Sequence, residues 1–310
     1  MKVAIIGIGT VGSAVATAVK NTGLVNEIVL YDRDEIRARS AAEDLGHASA
    51  FSFDVQINAV NDYRGIRGSD VVIISAGANQ KPGQTRMDLL DANANVIRDI
   101  VPRVMKNVDP KRVILIVVTN PLDIMVMLVS QLSGLPESRV IGTGTMLDSA
   151  RLKIILSRLL GVSSHSINGY VLGEHGDSSV INWSSISIGN LPLDDFCKQV
   201  GIPVSAASRK TIDYRVHNAA YEIIQGRGAT WDGIGAVVSD LLRCIINNEK
   251  RILTVSKKET IGNKPVAVSL PRIVGSDGII TTLFPKMNSE ETKYLKKSME
   301  VIKSGFSKLK

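Results

Sequence analysis

The sequence predicts an α/β protein with a doubly wound parallel sheet, followed by a second domain of α+β type. Three features support this prediction. The chain opens with a strand, a glycine-rich turn, a helix and a second strand, which is the pattern of a βαβ unit. Apolar strand-like runs then alternate with helical stretches as far as residue 141. Beyond that point amphipathic helices precede three consecutive strands, and 310 residues exceed the usual size of a single hydrophobic core.

The first βαβ unit contains a G-x-G-x-x-G motif formed by Gly7, Gly9 and Gly12. Its strand, helix and second strand are predicted at 3–6, 10–20 and 27–31. Gly7 allows a tight turn, Gly9 lets backbone amides approach a pyrophosphate, and Gly12 allows the helix to pack closely on the strand. The N-terminus of the helix then faces the phosphates. The motif in this context predicts a Rossmann-type dinucleotide site.

Asp32 ends the second strand, 20 residues after Gly12. Its carboxylate is placed to accept hydrogen bonds from the adenine-ribose hydroxyls and to repel a 2′-phosphate. NAD is therefore the predicted cofactor in preference to NADP, with the neighbouring Arg33 as the one residue that argues the other way.

The rest of the first half completes a parallel sheet. Further strands are predicted at 53–57, 71–75, 113–118 and 139–141, and helices at 34–45 and 87–106. We expect a domain boundary at 142–144. It divides the chain into an NAD-binding Rossmann domain (1–142) and a catalytic, substrate-binding domain (143–310).

A polar loop at 77–86 follows the strand at 71–75 and contains glycine and proline. Ligands bind at the carboxyl ends of the strands in such sheets. The loop is therefore a candidate lid that carries Arg86 toward a substrate. The alternative is a connecting loop whose arginine is solvated.

The second half combines helices with short strands. Helices are predicted at 149–160, 205–225 and 234–246, extended segments at 165–172 and 180–188, and antiparallel strands at 251–256, 265–273 and 278–283. Asn288 and Glu291 are spaced as a cap for a last helix. Beyond them Leu295, Met299 and Ile302 recur at helical spacing, with lysines between them.

Composition and charge argue against several classes of protein. With 44% hydrophobic and 22% charged residues, the chain has the composition of a folded globular protein. The net charge of +7 is spread along the chain, so nucleic-acid binding is not expected. Cys197 and Cys244 have neither disulfide nor metal-ligand spacing, and no apolar run suits a signal peptide or a membrane span. We therefore expect a cytoplasmic protein without a metal site.

Three residues are candidates for chemistry. His175 lies between Gly173 and Gly176, where a sharp turn would point its imidazole into a cleft; the alternative is a solvated histidine. Asp148 and Arg151 lie three residues apart at the start of a helix and share a face. Such an arginine can bind a carboxylate and such an aspartate can orient a histidine, whereas the alternative is a local ion pair.

Five motifs connect nearly the whole chain with a known family. They are GIGTVG at 7–12, AGANQKPG at 76–83, TNP at 119–121, GTGTMLDSAR at 142–151 and GEHG at 173–176. With them the chain resembles the NAD-dependent L-2-hydroxy acid dehydrogenases of the lactate/malate dehydrogenase family, and the L-lactate dehydrogenases most. The resemblance implies NAD as cofactor, a small 2-oxo or 2-hydroxy acid as substrate, and a homodimer or homotetramer.

The resemblance also implies catalytic roles. His175 resembles the family's proton donor and acceptor, and Asp148 its partner. Arg86 is similar to the arginine that polarises the substrate carbonyl as the hydride arrives. A protonated histidine that delivers the proton while the arginine stabilises the developing negative charge is consistent with general acid catalysis.

Four further positions match binding residues of the family. Arg151 is similar to the arginine that binds the substrate carboxylate. Asn120 resembles the residue that hydrogen-bonds both substrate and nicotinamide. Thr230 and Ile234 match positions that line the pocket beside the nicotinamide.

Substrate choice is expected to depend on Gln80, which lies where malate dehydrogenases of the family carry an arginine. Since glutamine is neutral, the second carboxylate of oxaloacetate would lack a countercharge, and pyruvate is the predicted substrate. Asp232 replaces a residue that is usually bulky, so a hydroxyisocaproate-type dehydrogenase for longer 2-oxo acids stays open, ahead of malate dehydrogenase. Lys153 and Asn168 stand where an arginine and a histidine bind the activator fructose 1,6-bisphosphate, so its effect is open.

A different class of function also has to be weighed. The same fold can serve a non-catalytic, NAD-responsive binding protein, because fold does not determine function. Against this alternative stands the intact set of Arg86, Asp148, Arg151 and His175. A relative without activity would be expected to have lost at least one of them.

Overall fold

A computed structural model describes residues 1–78, 86–261 and 264–309, and for residues 86–88 it describes the backbone alone. The strands are β1 (Lys2–Ile6), β2 (Glu27–Tyr31), β3 (Gln56–Val60), β4 (Val71–Ile74), β5 (Ile114–Val117), β6 (Val140–Gly142), β7 (Ile167–Asn168), β8 (Val171–Leu172), β9 (Val180–Ile181), β10 (Ser187–Ile188), β11 (Leu191–Pro192), β12 (Arg251–Ile261), β13 (Lys264–Gly275) and β14 (Gly278–Thr282). The helices are α1 (Thr10–Lys20), α2 (Glu35–Ser49), α3 (Arg86–Met105), α4 (Leu122–Ser133), α5 (Met146–Leu160), α6 (Leu193–Val200), α7 (Ala206–Arg227), α8 (Asp232–Ile246) and α9 (Ser289–Ser307).

The described residues form one central sheet with the strand order β14-β13-β12-β6-β5-β4-β1-β2-β3. The six strands of the first half are parallel to one another. β4 and β5 are apolar throughout and fully buried, as is typical of parallel strands covered by helices on both faces. The predicted doubly wound sheet is confirmed.

The three long strands of the second half extend this same sheet. Ser256 of β12 pairs antiparallel with Gly142 of β6, and β12, β13 and β14 follow one another as an antiparallel meander. The sequence correctly predicts three antiparallel strands but not that they join the parallel sheet. Periodicity identifies a strand, whereas the identity of its distant neighbour depends on packing.

Hydrophobic cores cover both faces of the sheet. One is built with residues of α3, α4 and α9, and the other with residues of α1, α2 and α8. On the second face α8 approaches α1 so closely that a Cβ at Gly235 would lie 2.9 Å from the carbonyl oxygen of Ala14. A third core, formed by residues between 152 and 216, lies within the second half.

Several predicted elements differ from those observed. The strand predicted at 53–57 is Gln56–Val60, because the ring of Phe53 packs on Gly23, where an added Cβ would lie 2.5 Å from it. The extended segments at 165–172 and 180–188 are two-residue strands interrupted by short 3-10 turns. Helix α4 was not predicted, because its first nine residues are all buried and show no amphipathic pattern.

The start of the last helix agrees with its predicted cap. The side chain of Asn288 accepts a hydrogen bond from the amide of Glu291 at 2.8 Å, and the Glu291 carboxylate accepts one from the amide of Asn288 at 2.9 Å. This reciprocal pair satisfies two amides that the helix itself leaves without acceptors.

Candidate active site

The glycine motif forms a tight turn between β1 and α1. Gly7 has φ of +96°, and a Cβ there would lie 2.4 Å from the Cα of Ala76. A Cβ at Gly12 would lie 1.9 Å from the carbonyl oxygen of Gly7, whereas Gly9 faces open space. The first turn of α1 carries no acidic residue, so its amides are suited to an anion. These features fit a pyrophosphate group.

Asp32 is buried at the carboxyl end of β2 and connects it to the glycine turn. Its carboxylate accepts hydrogen bonds from the amide of Ile8 at 2.6 Å and from the amide of Asp34 at 2.9 Å. A carboxylate has about four acceptor positions, so further hydrogen bonds from a diol can be accepted. This arrangement fits the ribose of a dinucleotide, and Arg33 beside it is exposed.

His175, Asp148 and Arg151 lie in direct contact. The Nδ1 atom of His175 is 2.7 Å from Oδ2 of Asp148, and Nη1 of Arg151 donates to Oδ1 of the same carboxylate at 2.8 Å. Asp148 and Arg151 occupy successive turns at the start of α5. One carboxylate therefore binds both a histidine ring and an arginine. The ion pair with Arg151 and the contact with His175, which the sequence offered as alternatives for Asp148, are both present.

The contacts in this cluster change the protonation of its members. Burial lowers the pKa of His175, but the charge and hydrogen bond of Asp148, together with the charge of Asp123, outweigh burial and raise it above its usual value. Burial raises the pKa of Asp148, but the charge and hydrogen bond of His175 and the charge of Arg151 bring it below its usual value. The two groups stabilise each other's charged form.

The backbone before His175 is fixed by two other elements, β13 and α9. Gly173 exchanges two hydrogen bonds of 2.9 Å with Ser269 of β13, and the amide of Glu174 donates to Oγ of Ser298 on α9 at 2.8 Å. Gly173 has φ of +93°, and a Cβ there would lie 2.5 Å from that hydroxyl. Gly173 is thus required by its approach to α9 as well as by the sharp turn that the sequence predicts.

Asp123 is a site residue that the sequence analysis missed. It lies in the first turn of α4, and its Oδ2 atom accepts a hydrogen bond from the backbone amide of His175 at 2.7 Å. Oδ1 accepts a hydrogen bond from the hydroxyl of Ser256 at 2.5 Å. Its only signal in the sequence is its place two residues after the Asn120-Pro121 pair, which by itself carries no chemical meaning.

Asn93 of α3 was also missed, and it connects two strand ends. Its Oδ1 atom accepts a hydrogen bond from the amide of Ala78 at 2.6 Å, and its Nδ2 atom donates to the carbonyl of Asn120 at 2.7 Å. The peptide bond between Asn120 and Pro121 is cis, and Asn120 is exposed. Asn93 therefore fixes the backbone at the ends of β4 and β5.

We expect Asn93→Ala to destabilise the protein by about 1 to 3 kcal/mol, because a buried amide and its two backbone partners lose their hydrogen bonds. Urea unfolding at neutral pH measures this change. The matched control is Asn95→Ala on the same helix, where an exposed side chain contacts Arg98. Equal loss of stability in the two variants would contradict the assignment.

Two family models match the two halves of this chain. The model for the lactate/malate dehydrogenase NAD binding domain matches residues 1–142, and the model for the alpha/beta C-terminal domain matches residues 145–310. The chain belongs to the lactate/malate dehydrogenase family. The resemblance on which the sequence analysis relied is thereby confirmed.

Similar members of this lactate/malate dehydrogenase family are named L-lactate dehydrogenases. The L-lactate dehydrogenase of Thermus aquaticus is 45% identical over 100% of this chain and 99% of its own length. That of Chloroherpeton thalassium is 42% identical over 99% of both chains. The crystal structure of the minor L-lactate dehydrogenase of Enterococcus mundtii superimposes with a TM-score of 0.94 at 36% identity, covering 100% of this chain and 98% of the other.

Two residues that the family resemblance singles out lie outside the described part of the structure. Gln80 falls in the stretch 79–85, and of Arg86 only the backbone is described, as the first residue of α3. Their assignments to substrate choice and carbonyl polarisation stay predictions.

Thr230 and Ile234 lie at the junction of α7 and α8, beside the start of α5. Ile234 packs against the core that contains Ile8, and a Cβ at Gly233 would lie 2.9 Å from the side chain of Leu147. The start of α8 therefore lies against Leu147, the residue that precedes Asp148 in α5. Thr230 itself is partly buried.

Two other features are absent from the part of the chain that the structure describes. They contain no group of three or more His, Cys, Asp or Glu side chains that could hold a metal ion. Among the helices formed by these residues, none combines the length and apolar character needed to cross a membrane.

Proposed function

We propose that this member of the lactate/malate dehydrogenase family is an NAD-dependent L-lactate dehydrogenase that interconverts pyruvate and L-lactate. The contact of His175 with Asp148, which in turn binds Arg151, is the observation that carries the proposal. It provides a proton donor and a carboxylate-binding group within one cluster. The full-length similarity to proteins named L-lactate dehydrogenase supports it.

In this proposal His175 donates the proton from Nε2, because Nδ1 is engaged by Asp148 at 2.7 Å. Asp148 keeps the ring in one tautomer and stabilises its charged form. Arg151 contacts Asp148 through Nη1, and its remaining N–H groups bind the substrate carboxylate. The nicotinamide, when bound, supplies or accepts the hydride. Arg86 stabilises negative charge on the substrate oxygen, and Asn120 hydrogen-bonds the substrate.

In the same proposal, residues 1–142 bind NAD and residues 143–310 form the catalytic, substrate-binding domain. Gly7, Gly9 and Gly12 would hold the pyrophosphate, and Asp32 the adenine ribose in preference to a 2′-phosphate. Open space at Gly9 and the buried carboxylate of Asp32 support this assignment. In the second half, Ile234 and Thr230 would border the nicotinamide.

Gln80→Arg is expected to raise the ratio of kcat/KM for oxaloacetate over pyruvate by roughly 100-fold, since a buried charge without a partner costs about 3 to 5 kcal/mol. Steady-state kinetics with both substrates measures the ratio. Gln80→Met, a neutral residue of similar length, is the matched control and should not raise it. An unchanged ratio in the arginine variant would show that Gln80 is not the discriminating residue.

The contacts of Asp232 bear on the alternative that the substrate is a longer 2-oxo acid. Nη1 of Arg227 lies 2.8 Å from Oδ2 of Asp232, and the same guanidinium lies 4.0 Å from the ring centroid of Trp231. Asp232 is exposed and its charge is paired with Arg227, so this position presents no unpaired charge to a substrate.

The test is NADH oxidation with pyruvate, oxaloacetate and 2-oxoisocaproate, each with and without fructose 1,6-bisphosphate. We expect the highest kcat/KM for pyruvate. A preference for 2-oxoisocaproate would instead assign a hydroxyisocaproate-type dehydrogenase, and one for oxaloacetate a malate dehydrogenase. Absence of turnover on all three would favour the NAD-responsive binding protein.

The proposal includes a cytoplasmic homodimer or homotetramer. Cys197 and Cys244 are both free and buried, which suits a reducing compartment. Helix α7 exposes the apolar side chains of Tyr214, Ile223 and Ile224, which are of the kind that association covers. Light scattering after size-exclusion chromatography measures the number of subunits.

A further inference from the structure

We propose that Asp123 is a second carboxylate partner of His175, a positioning residue that holds the histidine backbone and adds a second negative charge next to the segment that carries the ring. This inference rests on the proposed function, in which His175 exchanges a proton with the substrate. It assigns a purpose to a buried acidic group that the reaction itself does not use.

The geometry of Asp123 is that of a fixed anion. Both of its oxygens accept a hydrogen bond, from the His175 amide at 2.7 Å and from the Ser256 hydroxyl at 2.5 Å. Asp123 is 2% exposed and Ser256 is fully buried. A buried carboxylate is costly unless its oxygens are paired, so these contacts and a nearby cation are what maintain its charge.

Two charged groups near Asp123 belong to the segment that carries the histidine. The charge of His175 lowers the pKa of Asp123, and the charge of Glu174 raises it. The strand on its other side presents the neutral Ser256, and β6 presents Gly142, which contacts Ser256 and the apolar side chains of α4. Within the described residues His175 is therefore the cation with which Asp123 interacts most directly.

Asp123 offsets an unfavourable effect of Arg151. The positive charge of Arg151 lowers the pKa of His175, whereas the charge of Asp123 raises it. With His175 protonated, two carboxylates are balanced by two cations, the histidine and the arginine. Arg151 is needed to bind the substrate carboxylate. The charge of Asp123 allows Arg151 to lie beside Asp148 while His175 stays protonated.

The reverse effect makes the pair mutually dependent. Burial raises the pKa of Asp123 to about 6, although the hydrogen bonds from Ser256 and the His175 amide and the charge of His175 act to lower it. When Asp123 gains a proton at acidic pH, its support for the charged ring is lost. The two groups titrate as a coupled pair.

The experiment is an NMR titration of the full-length protein with labelled histidine, following the ring signal of His175. The chain has four histidines, and the His175→Asn variant assigns the signal. In Asp123→Asn the side-chain oxygen can still accept from the His175 amide and the side-chain nitrogen can donate to Oγ of Ser256, but the charge is lost. We expect the titration midpoint of His175 to fall by roughly one pH unit, as is typical when an opposite charge nearby is removed.

Two further variants keep the test decisive if Asp123→Asn does not fold. Ser256→Ala removes a donor that favours the ionised Asp123, so the His175 midpoint should fall by a smaller amount. Ser130→Ala, a buried hydroxyl on the same helix α4, is the control and should leave the midpoint unchanged. An unchanged midpoint in Asp123→Asn, or in Ser256→Ala when only that variant folds, overturns the proposal.

Kinetics separate this role from a purely structural one. The basic limb of the pH profile for pyruvate reduction should move to lower pH in Asp123→Asn by the same amount as the midpoint. A structural role alone would lower kcat at every pH without moving the limb, and that result overturns the proposal. The NMR titration needs no turnover, so failure of the enzyme to reduce pyruvate would refute the proposed function without affecting the assignment of Asp123.

Discussion

His175→Ala is expected to lower kcat for pyruvate reduction by roughly 100- to 10,000-fold, the usual contribution of a positioned general acid. NADH should still bind, because the glycine turn and Asp32 lie on separate elements, β1, α1 and β2. Stopped-flow kinetics and a fluorescence titration with NADH measure the two effects. The control is His165→Ala, an exposed histidine before β7. Near-normal turnover in His175→Ala would refute the mechanism.

The pH dependence of the unaltered enzyme follows from the same residue. In the proposed mechanism pyruvate reduction requires protonated His175, so we expect it to proceed below the histidine pKa and to be lost as the pH rises through it. Lactate oxidation requires the neutral ring and is gained over the same interval. Because Asp148 and Asp123 outweigh burial and raise the pKa of His175, both transitions should lie above the ordinary histidine value of about 6.5.

Arg151→Ala is expected to raise KM for pyruvate by roughly 100-fold or more, because two hydrogen bonds to a charged carboxylate are lost at about 1.5 to 3 kcal/mol each. The positive charge of Arg151 lowers the pKa of His175, so its removal should also move the basic limb of the pH profile to higher pH. This shift is opposite to the one expected for Asp123→Asn.

Steady-state kinetics across the pH range tests both parts of this prediction. Arg158→Ala, an exposed arginine two turns later on α5, is the matched control and should change neither KM nor the limb. An unchanged KM in Arg151→Ala would assign the substrate carboxylate to another cation. A raised KM without the pH shift would mean that solvent screens the arginine from the histidine.

The local features of the fold were largely predictable. The glycine spacing and the Asn288 cap depend on neighbouring residues alone, and both are found where the sequence places them. Errors arose where an apolar residue has another use, as when Phe53 covers Gly23. Helix α4 was missed because burial on all sides removes the polar face that makes a helix visible in a sequence.

The candidate site was predictable only in part. His175, Asp148 and Arg151 carry side chains whose chemistry is evident from local spacing and from the family motifs. Asp123 and Asn93 act on the backbones of residues 52 and 27 positions away, through contacts that exist only after folding. No local pattern distinguishes such an aspartate or asparagine from one on the surface.

The pairing of β6 with β12 and the close contact of α8 with α1 bear on how this protein can be recombined. The two halves share a hydrogen-bonded sheet and a helix contact that leaves no room for a Cβ at Gly235. A chimera assembled from the first half of one relative and the second half of another would have to match strand edge and helix surface together. We therefore expect an exchange of either half alone to destabilise the protein, because both contacts would have to be rebuilt at once.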